Sequence, residues 1–213
     1  VLTIFHEFGH IMHQTLTRAP FASLSGSSVA QDFVEAPSQM LENWVWDKEI
    51  LTKLSGHYLD NSKPLPDELL NQMLAARDFG LGYYYTRQLM LGLYDMTLHT
   101  SSESVDVNKL YAQIYKEMLG ISDIEGSRFA ASFGHLMGGY DAGYYGYLYS
   151  LVFATDMFTK FQAGGLLNPE IGAQYRQGIL EKGAMVDPLE LVENFLGRKS
   201  TPDAFYRKLH IDL

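Results

Sequence analysis

The 213-residue chain contains no cysteine. That excludes a disulfide framework and any thiolate ligand, so a bound metal would have to be held by histidine and carboxylate. Cations are scarce too: 16 Lys and Arg stand against 25 Asp and Glu, a net charge of −9, and no basic cluster or nucleic-acid-reading motif occurs. DNA and RNA are therefore not expected as partners. No apolar stretch approaches the ~18–20 residues needed to span a bilayer, and no signal peptide is visible, so no membrane partner is expected either. A cysteine-free chain is compatible with a reducing compartment, and the cytoplasm is the expected location. Runs of strand period and internal repeats are also missing. The length suits one globular domain, 1–213, that buries a sizeable core, and the fold class expected is mainly α, a helical bundle with at most a small edge sheet.

Helical patterns cover most of the sequence. Residues 1–16 read as a helix. Residues 17–31 (TRAPFASLSGSSVAQ) form a small-residue connection, a surface loop or an edge strand able to lie beside an extended peptide. A second helix is expected around Glu35, with Asp32 as candidate cap and a start or bend near Pro37, running to about Ser55. PDELLNQMLAARDF opens another helix with its proline and acids at the N-terminal end. LGYYYTRQLMLGLYDMTLHT and DVNKLYAQIYKEMLG follow with apolar residues at i, i+3 and i+4. A strongly apolar helix is read in YGYLYSLVFATDMFTKFQA, and three shorter ones begin near Pro169, Pro188 and Pro202.

The chemistry is concentrated at HEFGH, residues 6–10. On a helix, His6 and His10 stand one turn apart on one face, so both imidazoles can reach one metal ion. Glu7 lies about 100° around the helix from His6, where its carboxylate misses the metal but can reach a water beside it and take its proton. Gly9, lacking a side chain, is read as leaving room beside the metal. An open catalytic zinc site usually has three protein ligands plus water. Glu35, after 24 intervening residues, is the candidate third; the alternative short spacing is absent, because Leu16 stands six residues after His10.

HEFGHIMHQTL followed by DFVEAPSQMLENWVW resembles the thimet oligopeptidase and neurolysin family of zinc peptidases. FGHLMGGYDAGYYGYL (133–148) is similar to that family's substrate loop, and FLGRKSTPDAFYRKL (195–209) to its C-terminal end. The resemblance implies a zincin-like helical catalytic domain binding one zinc ion per chain, with His6, His10 and Glu35 as ligands and Glu7 as general base. It implies oligopeptide substrates cut at internal bonds. It also implies that His135, Tyr140, Tyr144 and Tyr147 contact substrate or stabilise the transition state. His135, Tyr140 and Tyr147 are the first choices as catalytic donors; Tyr144, Gly138 and Gly139 are assigned to substrate binding, and Tyr145 to packing. Independently of family, Gly138, Gly139, Gly143 and Gly146 permit positive φ and a tight, mobile segment, and a phenol about 3 Å from a developing oxyanion would stabilise it.

The resemblance covers only the catalytic part of a family whose members are usually about three times longer, and the chain opens at Val1-Leu2 inside the metal-binding helix. A fragment, or a minimal version, of the longer family architecture is therefore expected, and self-association or a partner could cover the surface left by an absent lobe. The alternative function is an inactive zinc-binding remnant that needs that lobe; a third is a zinc hydrolase of a non-peptide bond. His13 reads as structural or as support behind a ligand. Ligating histidines normally donate their other ring N–H to a carboxylate or carbonyl, and Glu42 is the candidate partner, Ser38 and Gln39 pointing elsewhere. His57, His99 and His210 read as surface or capping residues, Trp44 and Trp46 as core, and Arg128 as one half of a structural salt bridge.

Overall fold

A computed structural model describes residues 1–211. Among them lie eleven α-helices and no strand; the one sheet-like feature is an isolated bridge between His57 and Asp60. The expectation of a mainly α fold holds, without the small edge sheet. The chain divides into two compact units, 1–79 with 150–213, and 80–149.

The first unit opens with α1 (Leu2–Thr15), which packs on α2 (Ala36–Leu41). Gly9 sets their spacing. A Cβ there would sit 2.5 Å from Ser38 Cα and 2.9 Å from the Pro37 carbonyl oxygen, inside any real contact distance. The bare face of Gly9 is thus filled by the backbone of α2, which corrects the reading that it clears space for a metal. Residues 17–31 form a loop with a single 3₁₀ turn at Ala22–Leu24, held by Gln14, whose side-chain oxygen accepts the Ser27 N–H at 3.2 Å.

The helix expected from Glu35 to Ser55 is in fact three pieces: α2, a 3₁₀ turn at Glu42–Trp46, and α3 (Lys48–Leu54). The break lies at Asp47, whose backbone is extended (ψ 135°) and whose carboxylate accepts the Ile50 N–H at 3.1 Å. An aspartate with a free choice between continuing one helix and capping the next takes the cap, because it satisfies an otherwise orphaned donor. Asp32 does not cap α2. It lies in the preceding turn, where its carbonyl accepts the Ser150 hydroxyl at 2.7 Å. Pro37 occupies the first turn of α2, as expected from its missing N–H.

α4 (Asp67–Arg77), the greater part of α8 (Gly146–Gly164), α9 (Pro169–Tyr175), α10 (Pro188–Leu196) and α11 (Asp203–Lys208) complete this unit. Trp44 is buried against Phe158 and Phe161, and its indole N–H donates to the Leu166 carbonyl at 3.0 Å. The C-terminal block is tied down by Asp156, a fully buried carboxylate that accepts from both terminal nitrogens of Arg198, from the Ser200 hydroxyl and from the Thr201 N–H.

His13 is fully buried on α1, and neither ring nitrogen has a hydrogen-bond partner among the described residues. Burial, helped by the neighbouring His10, pushes its pKa down to about 4. The unfolded chain, with an ordinary histidine near 6.5, takes up the proton first as pH falls. Stability contributed by neutral His13 is therefore complete above pH ~6.5 and lost on descending to about 4, a loss on the order of 3 kcal/mol. His13→Leu should remove that slope and be neutral or stabilising at pH 7, since no hydrogen bond is given up. Urea midpoints between pH 7 and 4.5, measured with chelator present, check this; an unchanged slope in the variant would refute it.

The second unit contains α5 (Leu81–Thr100), α6 (Val107–Leu119) and the short α7 (Phe129–Ser132), followed by a 3₁₀ turn at Gly134–Met137 and the tyrosine loop. α6 starts at Asp106, whose side chain accepts from the N–H groups of Asn108 and Lys109, and stops at Gly120, with φ 73°. Met90, Leu91, Tyr94, Tyr111, Ile114, Phe133, Leu136 and Tyr144 form its core.

Candidate functional site

α1 and α2 bring three side chains together. The Nε2 atoms of His6 and His10 lie 3.2 and 3.1 Å from one oxygen of Glu35, and the three ligand atoms fall within 4.8 Å of one another. His6 and His10 come from successive turns of α1, and Glu35 occupies the N-cap position of α2. Tetrahedral ligands at bonds of about 2.1 Å are separated by about 3.4 Å, close to the 3.2 and 3.1 Å between Glu35 and the two histidines, so the donor set has the chemistry and the size that zinc takes.

The surroundings favour a cation. His6 donates through Nδ1 toward Glu42 Oε1 at 2.7 Å, the pairing expected from the sequence. Hydrogen bonds to Glu35 and then Glu42 push the His6 pKa up to about 10 against the opposing effect of burial. The contact of Nδ1 with Glu42 orients the imidazole so that Nε2 faces the shared point. Glu35 is nearly fully buried, and Ser38 fixes it: the Ser38 hydroxyl lies 2.8 Å from the Glu35 carbonyl oxygen and 3.0 Å from its Oε2. Sequence reasoning missed that role, although a serine three residues into a helix commonly reaches back to the cap. Glu7 stands on the exposed side of α1, one residue beyond His6.

Within the second unit, His135, Tyr140, Tyr144 and Tyr147 form one aromatic cluster. The His135 ring meets all three tyrosines edge-on, with centroids 5.1–5.8 Å away, and Tyr140 stacks on Tyr147 at 5.0 Å. The Tyr147 oxygen is 3.4 Å from His135 Nε2. Tyr144 is buried and its hydroxyl donates to Gln88 Oε1 at 2.8 Å, so its proton is already engaged. Tyr145, expected to pack, is 40% exposed.

Of the loop glycines, Gly139 takes the left-handed conformation (φ 91°), and a Cβ on Gly138 would meet the Gly134 oxygen at 2.7 Å. The other left-handed position is Ala142, φ 54°. A non-glycine residue there needs support. Asp95 provides it: this fully buried carboxylate on α5 accepts the N–H groups of Ala142 at 3.2 Å and Tyr144 at 3.0 Å. His99, read as a surface or capping residue, pairs with the same carboxylate, Nδ1 to Oδ1 at 2.9 Å. Asp95 was not singled out from sequence; its partners in the loop lie 47 and 49 residues away, beyond any local motif. Arg128 makes no salt bridge among the described residues but donates to the carbonyls of Gly126 and Ser127.

A mainly helical protein that gathers both histidines of an HExxH helix and a glutamate from the next helix around one point has the makings of a metallopeptidase. The sequence model of peptidase family M3 matches residues 1–211, and the chain belongs to that family. It is 42% identical to a thimet-like oligopeptidase from Dictyostelium discoideum, 41% to oligopeptidase A from Escherichia coli and 40% to saccharolysin from Saccharomyces cerevisiae. These matches cover 98%, 96% and 98% of this chain but 32%, 31% and 30% of the relatives. The chain therefore spans about a third of their length.

Proposed function

We propose that this chain is the catalytic part of a zinc-dependent endopeptidase acting on oligopeptides. The convergence of His6, His10 and Glu35 on one point carries the reading. Zinc held there would polarise the scissile carbonyl and make a neighbouring water more acidic. Glu7 takes the proton of the attacking water and delivers it to the leaving amine nitrogen. Glu42 keeps His6 in one tautomer, and Ser38 keeps the Glu35 carboxylate oriented. His135, Tyr140 and Tyr147 donate hydrogen bonds to the oxyanion, and Tyr144, Gly138 and Gly139 contact the substrate, roles taken from the family resemblance. The cytoplasmic location remains part of this proposal.

One observation favours a second reading. Ile4, Phe8 and Ile11, at helical spacing on α1, are 69%, 52% and 51% exposed. A stripe of that kind calls for a cover. In this reading the chain is a zinc-binding remnant that hydrolyses nothing until a partner chain or an N-terminal lobe supplies that cover. The two separate on hydrolysis of a short, internally quenched peptide by the purified 213-residue chain, alongside zinc content. Cleavage abolished by a chelator and restored by zinc is expected; bound zinc with intact helicity and no cleavage would move the assignment to the remnant.

A further inference from the structure

Arg87 lies on α5, partly buried, on the wall of a cavity of about 540 Å³ shared with Phe129, Phe133, His135, Tyr140 and Tyr144. All of these residues belong to the second unit. No carboxylate lines the cavity, and Arg87 is the only lysine or arginine that does. In a chain of net charge −9 this is a local reversal of sign. Arg87 makes no hydrogen bond or ion pair with any described residue, yet its charge acts on the phenols of Tyr111, Tyr115 and Tyr144, which burial pushes up and Arg87 draws back down. Asp123 acts on Tyr111 and Tyr115 too, but no ion pair joins it to Arg87. The wall beside the arginine is fixed, because Gln88 holds the Tyr144 hydroxyl and Asp95 holds the loop.

A guanidinium partly withdrawn from water without an anion keeps its planar fork of donors available, and that fork matches a carboxylate in two parallel bonds. The aromatic faces beside it suit the apolar stem that carries such a group. We propose that this cavity is a carboxylate subsite, in which Arg87 receives either an aspartate or glutamate side chain of a bound peptide or its free C-terminus. The identity of the ligand as a peptide rests on the function proposed above; the cavity's preference for a carboxylate does not.

The test is calorimetric, with the zinc-loaded Glu7→Gln chain and three forms of one acetylated octapeptide. The first carries an interior Glu and an amidated end, the second an interior Gln and a free C-terminus, the third an interior Gln and an amidated end. One of the first two should bind about tenfold more tightly than the third, the ratio expected of one charge-assisted pair. Whichever does so names the source of the carboxylate. Arg87→Gln, checked for unchanged helicity, should abolish the preference, while Arg87→Lys should retain part of it. Equal affinity for all three forms, a preference that survives Arg87→Gln, or no measurable binding of any form would each overturn the proposal. Hydrolysis of a quenched peptide by the parent chain would still stand in those cases, so the two proposals fail separately.

Discussion

Glu7→Gln should lower kcat for a quenched peptide by about 10²–10⁴-fold while leaving zinc content and helicity unchanged. The substitution keeps the size and shape of the side chain and removes only its basicity. Nothing in the fold resists it, because Glu7 is exposed on α1 and makes no hydrogen bond or ion pair with any described residue. KM should change little, since the role proposed for the carboxylate is on the proton of the attacking water rather than on the peptide. His6→Ala makes the contrast. It removes a proposed metal ligand together with the partner of Glu42, so zinc content itself should fall. Activity within tenfold of the parent in Glu7→Gln would mean that another group takes the proton, and the assignment of the general base would be wrong.

The largest loss of stability is expected at Asp156, far from the ligand set in sequence. Its carboxylate is 1% exposed and satisfies the guanidinium of Arg198, the hydroxyl of Ser200 and the N–H of Thr201. Burial alone would push the carboxyl pKa up, but these donors outweigh it and hold it below its usual value. A group depressed in this way stabilises the fold above its unfolded pKa and loses that contribution as pH falls through the folded one. Asp156→Ala deletes the acceptor for all of these donors and should cost about 3 kcal/mol, near the lower end for a broken buried pair because Arg198 is 45% exposed and regains water. Arg198→Ala leaves a buried carboxylate with its main partner gone, and its penalty should shrink on acidification as Asp156 protonates. Urea midpoints at pH 7 and pH 4 decide both; a cost under about 1 kcal/mol for Asp156→Ala would show that other contacts hold the C-terminal block.

The boundaries of α4 and α6 could be read from sequence because apolar spacing combines with a local signal, Pro66 before α4 and Asp106 and Gly120 at the ends of α6. The segment after Glu35 misled for the opposite reason. Its apolar period continues through Trp44 and Ile50, and only the competition between Asp47 as helix interior and Asp47 as cap decides the break. The gathering of His6, His10 and Glu35, and the support from Glu42, followed from spacing within and between two helices. Asp95 and Arg87 did not, because each sits mid-helix and looks like an ordinary charged residue until a loop some fifty residues later in the chain folds against the same unit. The tyrosine loop was expected to owe its shape to glycine, yet Ala142 carries one of its left-handed turns and a buried carboxylate holds it there.

Gly9 places the backbone of α1 against the backbone of α2, with no side chain between them. The gap across which the two histidines face Glu35 is therefore a hard stop of main chain on main chain. Repacking the apolar residues around it would leave the gap unchanged, whereas one methyl group at position 9 would widen it. Anyone transplanting this centre into a designed helical scaffold would have to copy that backbone spacing first, and choose the ligands afterwards.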